Sequence, residues 1–196
     1  MKNKKYSGYI VAGILILLGI FLIVSYNSLV KKDEKVKLQW NEVQNAYQRR
    51  LDLIPNLIST VGGVAQYEQN VLQQITEARS KASAANAGAD NISAEKFNTQ
   101  SKAQDDLAGA ANRLLINVEK YPDIKGTQAF TTLQTQLERT ELRIKIARKD
   151  FNESVQFYNS AARSFPTSIA AKLFGFKAKT GFASDAGADK AIEIKF

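Results

Sequence analysis

The sequence predicts an all-α protein. A single N-terminal transmembrane helix continues into an antiparallel long-helix bundle, three long helices plus a short C-terminal helix, four-helix-bundle-like. Three observations predict it. Gly8 to Tyr26 contain no charged residue. Beyond them, apolar residues recur three and four apart almost to Phe165, the repeat of one helix face. Helix breakers are scarce, with 3 Pro and 11 Gly in 196 residues, so long helices meet few interruptions. The same pattern divides the chain into a basic tail (1–8), an anchor (9–26), a bundle (27–166) and a short helix with an irregular tail (167–196).

The uncharged run holds 19 residues, and as a helix it is ~28 Å long, close to the hydrocarbon thickness of a bilayer. Its side chains, among them Tyr9, Ile10, Leu15, Leu18, Phe21, Val24 and Tyr26, are those of a membrane anchor. Tyr6, Tyr9 and Tyr26 stand near its ends, where amphipathic rings favour the interface. A cleaved signal peptide fits less well, since Ser25–Leu29 offers no small-residue cleavage pattern. Lys31, Lys32, Lys35 and Lys37 follow the run and read as contacts to anionic lipid headgroups, worth ~1 kcal/mol each near such a surface. Lys2, Lys4 and Lys5 favour an N-inside arrangement with the body outside the cytoplasm, and the later lysines argue the reverse. The formal charge of +8 is unevenly spread, with basic ends around an acidic middle.

From Val36 the stripe passes through Trp40, Val43, Tyr47, Leu51, Ile54, Ile58, Val61, Ala65, Leu72, Ile75, Ala78 and Ala82, broken only by Glu68. Pro55 lies within it. Because the stripe keeps its phase there, a kink is expected rather than a reversal, and Gly62-Gly63 is a second soft spot. Ser83–Asn91 has loop composition. Ser93 can cap a helix over Ala94–Lys120, whose early NTQSKAQDD stretch reads as an exposed face. Tyr121-Pro122 and Gly126 end it. A helix over Thr127–Ser164 carries the clearest stripe, Phe130, Leu133, Leu137, Thr140, Ile144, Ala147, Phe151, Ser154, Tyr158, Ala161 and Phe165. Leu142, Ile146 and Val155 widen it, which favours a bundle core over a two-stranded seam. Pro166 stops this helix. Thr167 can cap a short one, Ser168–Phe174, ended by Gly175, and Ile192–Phe196 reads as an extended edge.

The composition excludes much chemistry. With no Cys and no His, disulfides, thiolate or imidazole metal sites and His-dependent nucleophilic catalysis are unavailable. Asp105-Asp106 point about 100° apart on a helix and read as a solvated face. Asp52 is placed to answer polar groups that Pro55 frees, or to pair with an Arg. Glu141 stands beside the apolar stripe, where a buried pair with Arg50 or Arg143 would fix helix register. Glu141 also stands four before Lys145, the favourable order for a helical ion pair. Trp40, Arg50, Asp52, Pro55 and Glu141 are thus structural candidates. Phe165, Phe174, Phe176 and Phe182, interleaved with Lys172, Lys177 and Lys179, suit a membrane interface or a neighbouring subunit, or else close the bundle end. No phosphate-cradling glycine loop occurs, and the basic surplus lies beside the span, so nucleic acid is not an expected partner. No catalytic residue, cofactor or metal is expected.

Several short motifs occur in a fixed order. They are Tyr26-Asn27-Ser28-Leu29-Val30, Trp40-Asn41-Glu42-Val43-Gln44, Arg50, Asp52-Leu53-Ile54-Pro55-Asn56-Leu57 and Ala78-Arg79. Leu137-Glu138, Thr140-Glu141, Arg143, Ala147-Arg148, Tyr158-Asn159, Phe165-Pro166 and Phe174-Gly175-Phe176 follow. This order strongly resembles the LemA family of bacterial membrane proteins. The resemblance implies one membrane span, an antiparallel helical bundle and no known catalysis, in the bacterial inner membrane. One branch of that family takes part in magnetosome membrane formation. Membrane lipid is the expected partner. Gly8, Ala12, Gly13 and Gly19 punctuate the span, with Gly8 and Ala12 four apart, a spacing that permits close helix contact in lipid. With the wide stripe, this predicts a homo-oligomeric scaffold. A monomeric adaptor for a protein partner is the alternative.

Overall fold

The computed structural model describes residues 3–62, 69–86 and 94–182. They form α1 (Asn3–Val61), α2 (Gln69–Asn86), α3 (Ala94–Val118), the single turn α4 (Pro122–Lys125), α5 (Gln128–Arg163) and α6 (Thr167–Leu173), with no strand among them. The all-α class and the helical bundle hold. The chain divides into two compact units, Trp40–Lys149 and the combination of Met1–Gln39 with Asp150–Phe196.

In the unit Trp40–Lys149, polar contacts give the order of the helices. Arg79 of α2 reaches Leu51 of α1, and Asn86 reaches Gln48, so α2 runs back along α1. In α3, Phe97 meets Trp40, Gln100 meets Gln44 and Gln104 meets Arg50, so α3 runs parallel to α1. In α5, Glu141 meets Arg50 and Arg148 meets Tyr47, so α5 returns. The result is an up-down-up-down bundle. Its core joins Leu51, Ile54, Leu57 and Val61 of α1, Ile75 and Ala82 of α2, Leu107, Ala111, Leu114 and Val118 of α3, and Phe130, Leu133 and Leu137 of α5. Each large side chain so buried contributes about 1.5–3 kcal/mol relative to exposure. Thr127 caps α5 by accepting a hydrogen bond from the Phe130 amide at 3.3 Å, which satisfies one of the free donors of the first turn.

Four sequence expectations change here. The single long stripe from Val36 to Ala82 is two helices, so the bundle gains a fourth long helix. α1 ends at Val61, and Gly62 forms a turn whose amide donates to Ser59. A Cβ on Gly62 would stand 3.1 Å from the Ile58 carbonyl, and only glycine fits that approach without displacement. Alternation alone cannot see the reversal, because α1 and α2 each bury a face of similar period. Second, the polar start of α3 is not all exposed, since Gln100 and Gln104 are buried. Third, Leu142 and Ile146 are exposed rather than part of a widened core, and Phe165, past the end of α5, is exposed rather than the last residue of the stripe, while Val155 is buried. Fourth, of the partners the sequence offered Glu141, Arg50 is the one it pairs with rather than Lys145, and Asp105, though exposed, pairs with Arg148 at 2.7 Å. Gly63, Ala65, Glu68, Ser93 and Ile192–Phe196 lie outside the described residues.

Pro55 sits inside α1, and the helix continues to Val61. Proline lacks an amide hydrogen, so the carbonyl four residues earlier, that of Leu51, loses its helical donor. Arg79 of α2 supplies a replacement, its Nε donating to Leu51 O at 3.1 Å. Asp52 plays no such part, since it is exposed and accepts from Gln48 Nε2 at 2.8 Å.

The unit formed by Met1–Gln39 and Asp150–Phe196 buries Leu29 and Val36 of α1, Phe151, Val155 and Tyr158 of α5, and Ala170 and Ala171 of α6. After Leu173, the Gly175 amide donates to Lys172 O and the Phe176 amide to Ala171 O, with Gly175 at φ +75°. This is a Schellman ending, which needs a left-handed residue and strongly favours glycine. It turns the chain out of α6 into a non-helical strap, residues 176–182.

A double-mutant cycle tests the proline–arginine link. Arg79→Met should cost about 1.5 kcal/mol in the wild-type background, the scale of a charged hydrogen bond. In Pro55→Ala, which restores the helical donor to Leu51, the same change should cost close to nothing. Urea unfolding of the detergent-solubilised protein measures both, and equal costs would refute the link.

Candidate functional site

The anchor stands apart by its surface. In the most apolar 18-residue window of α1 only 6% is buried. Tyr9, Ile10, Leu15, Leu18 and Val24 are exposed, Phe21 is half-buried, and Tyr26 is 41% exposed. A contiguous apolar surface of this length is tolerable only in lipid, and the chain is membrane-associated.

Immediately after the span, the strap and α6 meet α1. The Tyr26 ring stands edge-on to Phe174 at 4.9 Å and to Phe176 at 5.7 Å. Two asparagines one heptad apart on α5, Asn152 and Asn159, grip the strap by its backbone. Asn159 donates from Nδ2 to Lys179 O and accepts from the Lys179 amide, both at 2.8 Å. Asn152 does the same to Phe182, donating at 3.1 Å and accepting at 2.7 Å. Gly181 makes the second grip possible, because a Cβ there would lie 2.6 Å from Asn152 Oδ1. The Tyr158 hydroxyl donates to Lys177 O at 2.9 Å, and Phe182 stands edge-on to Phe151 at 5.6 Å.

Lys179 Nζ closes the strap with an ion pair to Asp33 of α1 at 2.7 Å. Burial alone would raise the Asp33 carboxyl, but the hydrogen bond and charge of Lys179, joined by Lys37, hold it below the ordinary 3.8. Burial pushes the Tyr158 hydroxyl up, and the charge of Asp33 adds to that. The lysines after the span are therefore not equivalent. Lys31 and Lys35 are exposed and Lys32 is half-buried, whereas Lys37, also exposed, pairs with Glu34 at 2.7 Å and Asp33 at 3.3 Å. The aromatics also divide. Phe176 and Phe182 are half-buried by contacts within the chain, Phe174 stays exposed although its ring meets Tyr26, and Phe165 and Lys177 are exposed. A groove of about 670 Å³ runs along α5 and the strap, lined by Asn152, Gln156, Asn159, Ser160, Arg163 and Lys179 among others.

Inside the bundle unit lies a polar layer. Arg50 is 2% exposed. Its guanidinium donates to Gln104 O at 2.8 Å, to Gln104 Oε1 at 3.3 Å and to Glu141 Oε1 at 2.5 Å. Gln100 bonds to Gln44 on one side and Asn86 on the other. Arg148 donates from Nε to the Tyr47 hydroxyl at 2.9 Å and from Nη2 to Asp105 at 2.7 Å. Burial raises the Tyr47 hydroxyl above its ordinary value, and Arg148 opposes that shift. Trp40 packs at 5.4 Å on Phe97 beside this layer. Gln100 and Gln104 were the residues sequence reasoning missed. The signal was present, since Phe97, Gln100, Gln104, Leu107 and Ala111 keep the three–four spacing.

Two sets of variants test these arrangements. Glu141 is half-exposed but its partner is not, so Glu141→Ala strands a buried charge and should cost about 3 kcal/mol. Arg50→Met leaves a carboxylate that water can reach, and should cost markedly less by urea unfolding. For the strap, Asn152→Leu, Asn159→Leu and Gly181→Ala should each speed hydrogen exchange at the Lys179 and Phe182 amides several-fold. Because the Asp33 carboxyl is held low, its ion pair contributes fully above about pH 4 and is lost as pH falls through its folded value. Strap protection should fall with it, and Asp33→Asn should abolish that pH dependence.

A profile of the LemA family matches residues 39–196. Among similar proteins is the magnetosome protein MamQ 2 of Paramagnetospirillum magneticum, 26% identical, with the match covering 87% of this chain and 69% of that protein. Protein LemA of Metamycoplasma hominis is also 26% identical, over 81% of this chain and 70% of its own length. The MamQ of Magnetospirillum gryphiswaldense is 26% identical, over 80% and 64%.

Proposed function

The chain belongs to the LemA family, and from that premise we propose that it is a non-catalytic, membrane-anchored helical scaffold that self-associates and organises membrane or partner proteins. The observation that carries the reading is the pair Leu142 and Ile146, exposed one turn apart on α5 of the bundle unit. Two large apolar side chains on an otherwise polar helix face suit burial against another copy. The small residues of the span support it, since Gly8 and Ala12 stand four apart and Gly8 has open space where a Cβ would stand, a spacing that permits close approach of a second span. Two pairs of titratable groups in the bundle are engaged across helices, Arg50 with Glu141 and Arg148 with Asp105, which supports a structural rather than a chemical use of these four. The site of action is the bacterial inner membrane, N-terminus inside and bundle outside the cytoplasm, on the strength of Lys2, Lys4 and Lys5 before the span. The similarity to magnetosome proteins supports a membrane-organising role.

A second reading, a monomeric adaptor, is favoured by the polar groove between α5 and the strap, which offers hydrogen-bonding groups to a peptide of another protein. Mass measurement of the detergent-solubilised full-length chain separates the two. The scaffold predicts multiples of the 21.7 kDa chain, dissociated by Leu142→Glu with Ile146→Glu while helicity is kept. Monomer throughout the micromolar range, with one heterologous crosslinked band in cells, would replace it by the adaptor.

A further inference from the structure

We infer that α6 is a second membrane contact, seated in the interface of the leaflet where the span ends. Phe165, Ile169, Leu173 and Phe174 enter the boundary between headgroups and acyl chains. The inference rests on the span being in lipid, and its own observations concern one compact unit.

The first observation is level. Tyr26 closes the uncharged run, and its ring touches Phe174 at 4.9 Å. An independent count along the helices agrees. Lys179 Nζ pairs with Asp33 of α1 at 2.7 Å and stands 5.3 Å from the centre of the Tyr158 ring of α5, which sets the two residues at one level. Tyr26 lies seven residues before Asp33, and Phe165 seven after Tyr158. At 1.5 Å per residue each is ~10 Å away along antiparallel helices, so Tyr26 and Phe165 reach the same height.

The second observation is the face. α6 buries Ala170 and Ala171 against its own unit and turns Ile169 and Leu173, one turn apart, outward. Phe165 is 82% exposed and Leu173 65%. Four large apolar side chains within ten residues, open on one side and beside the end of a lipid-facing helix, continue the surface of the span.

The third observation is charge. No Asp or Glu occurs from Ser154 to Ser184, a stretch that holds Arg163, Lys172, Lys177 and Lys179. Lys179 is engaged with Asp33. Arg163, Lys172 and Lys177 are exposed around α6, which is the flank that an interfacial helix presents to anionic headgroups. A second copy of this cationic surface would be repelled, so the bilayer is the occupant that both the charge and the apolar face fit.

The chain has no cysteine, so one introduced cysteine takes one nitroxide label. Ile169→Cys and Leu173→Cys are reconstituted full-length into phosphatidylcholine–phosphatidylglycerol vesicles, with Lys120→Cys as an aqueous reference and Leu15→Cys as a reference in the span. The ratio of oxygen to nickel-chelate accessibility should exceed that of Lys120 several-fold at both α6 positions and remain below that of Leu15. A ratio equal to that of Lys120 would overturn the inference. So would exclusion of both reagents, which marks cover by protein. An aqueous signal at Leu15 would instead remove the span on which the inference rests. Ile169 and Leu173 face away from the core of their unit, so both variants keep the fold, which circular dichroism checks.

Discussion

The bundle turns on one carbonyl oxygen. Pro55 takes the helical donor away from Leu51, a buried residue in the last turns of α1, where an unpaired carbonyl is expensive. Arg79 restores it from across the hairpin. A defect in α1 is thereby made into a long-range contact, one that specifies where along α1 the returning α2 must stop. Gly62 ends α1, but the end of a helix alone leaves the sliding of α2 along α1 to apolar side chains, which interdigitate almost as well one helical turn away. The guanidinium has one carbonyl to find. With α1 and α2 registered, the Asn86 amide falls within reach of Gln48, and the polar positions of α3 have defined partners.

The layer around Arg50 extends the same logic to α3 and α5. It is poorly explained as a source of stability. Burying a guanidinium carries a desolvation cost that its ion pair only partly offsets. Among the described residues Arg50 Nε and Gln104 Nε2 are buried without a hydrogen-bond partner, each a cost of about 1–3 kcal/mol. What the layer does is discriminate. Moving α5 by one turn would take Glu141 from Arg50, and moving α3 would leave Gln104 and Gln100 among aliphatic side chains. Helices rich in Ala, Leu and Gln admit many alternative packings, and a few costly polar groups remove most of them.

Much of this was legible in the sequence. The span follows from 19 uncharged residues, and the helices follow from three–four spacing. The sequence also allowed the pair Arg50–Glu141, since a carboxylate and a guanidinium beside apolar stripes have few other ways to be buried. What escaped was of another kind. Gln100 and Gln104 occupy stripe positions, yet a polarity scale assigns them outside, and only their partners on α1 make burial tolerable. Leu142 and Ile146 were assigned inside by hydrophobicity, although three helices and α5's own stripe already fill the core. The reversal at Gly62 leaves no mark on a periodicity that both helices share. The strap was opaque because its grip is on backbone atoms. Asn152 and Asn159 hold the amide and carbonyl of Phe182 and Lys179, and side-chain pattern says nothing about which backbone an asparagine will bind. Gly181 was the one available clue, and its meaning depends on the approach of Asn152.

The residues that carry the family resemblance are, in large part, those that make these long-range contacts. Arg50, Pro55, Arg79, Glu141, Arg148, Tyr158 and Asn159 each tie one helix to another or to the strap. A motif built from charged and amide groups usually suggests chemistry performed on a ligand. Here the same groups are consumed by the fold, so the motif encodes a register and a strap. The surfaces left to act outward are then the ones the motif does not close, namely the lipid-facing span, the apolar pair on α5 and the outer face of α6. A protein organised in this way acts by what it touches. Those surfaces, with the groove along α5 and the strap, are where contacts to other molecules can form.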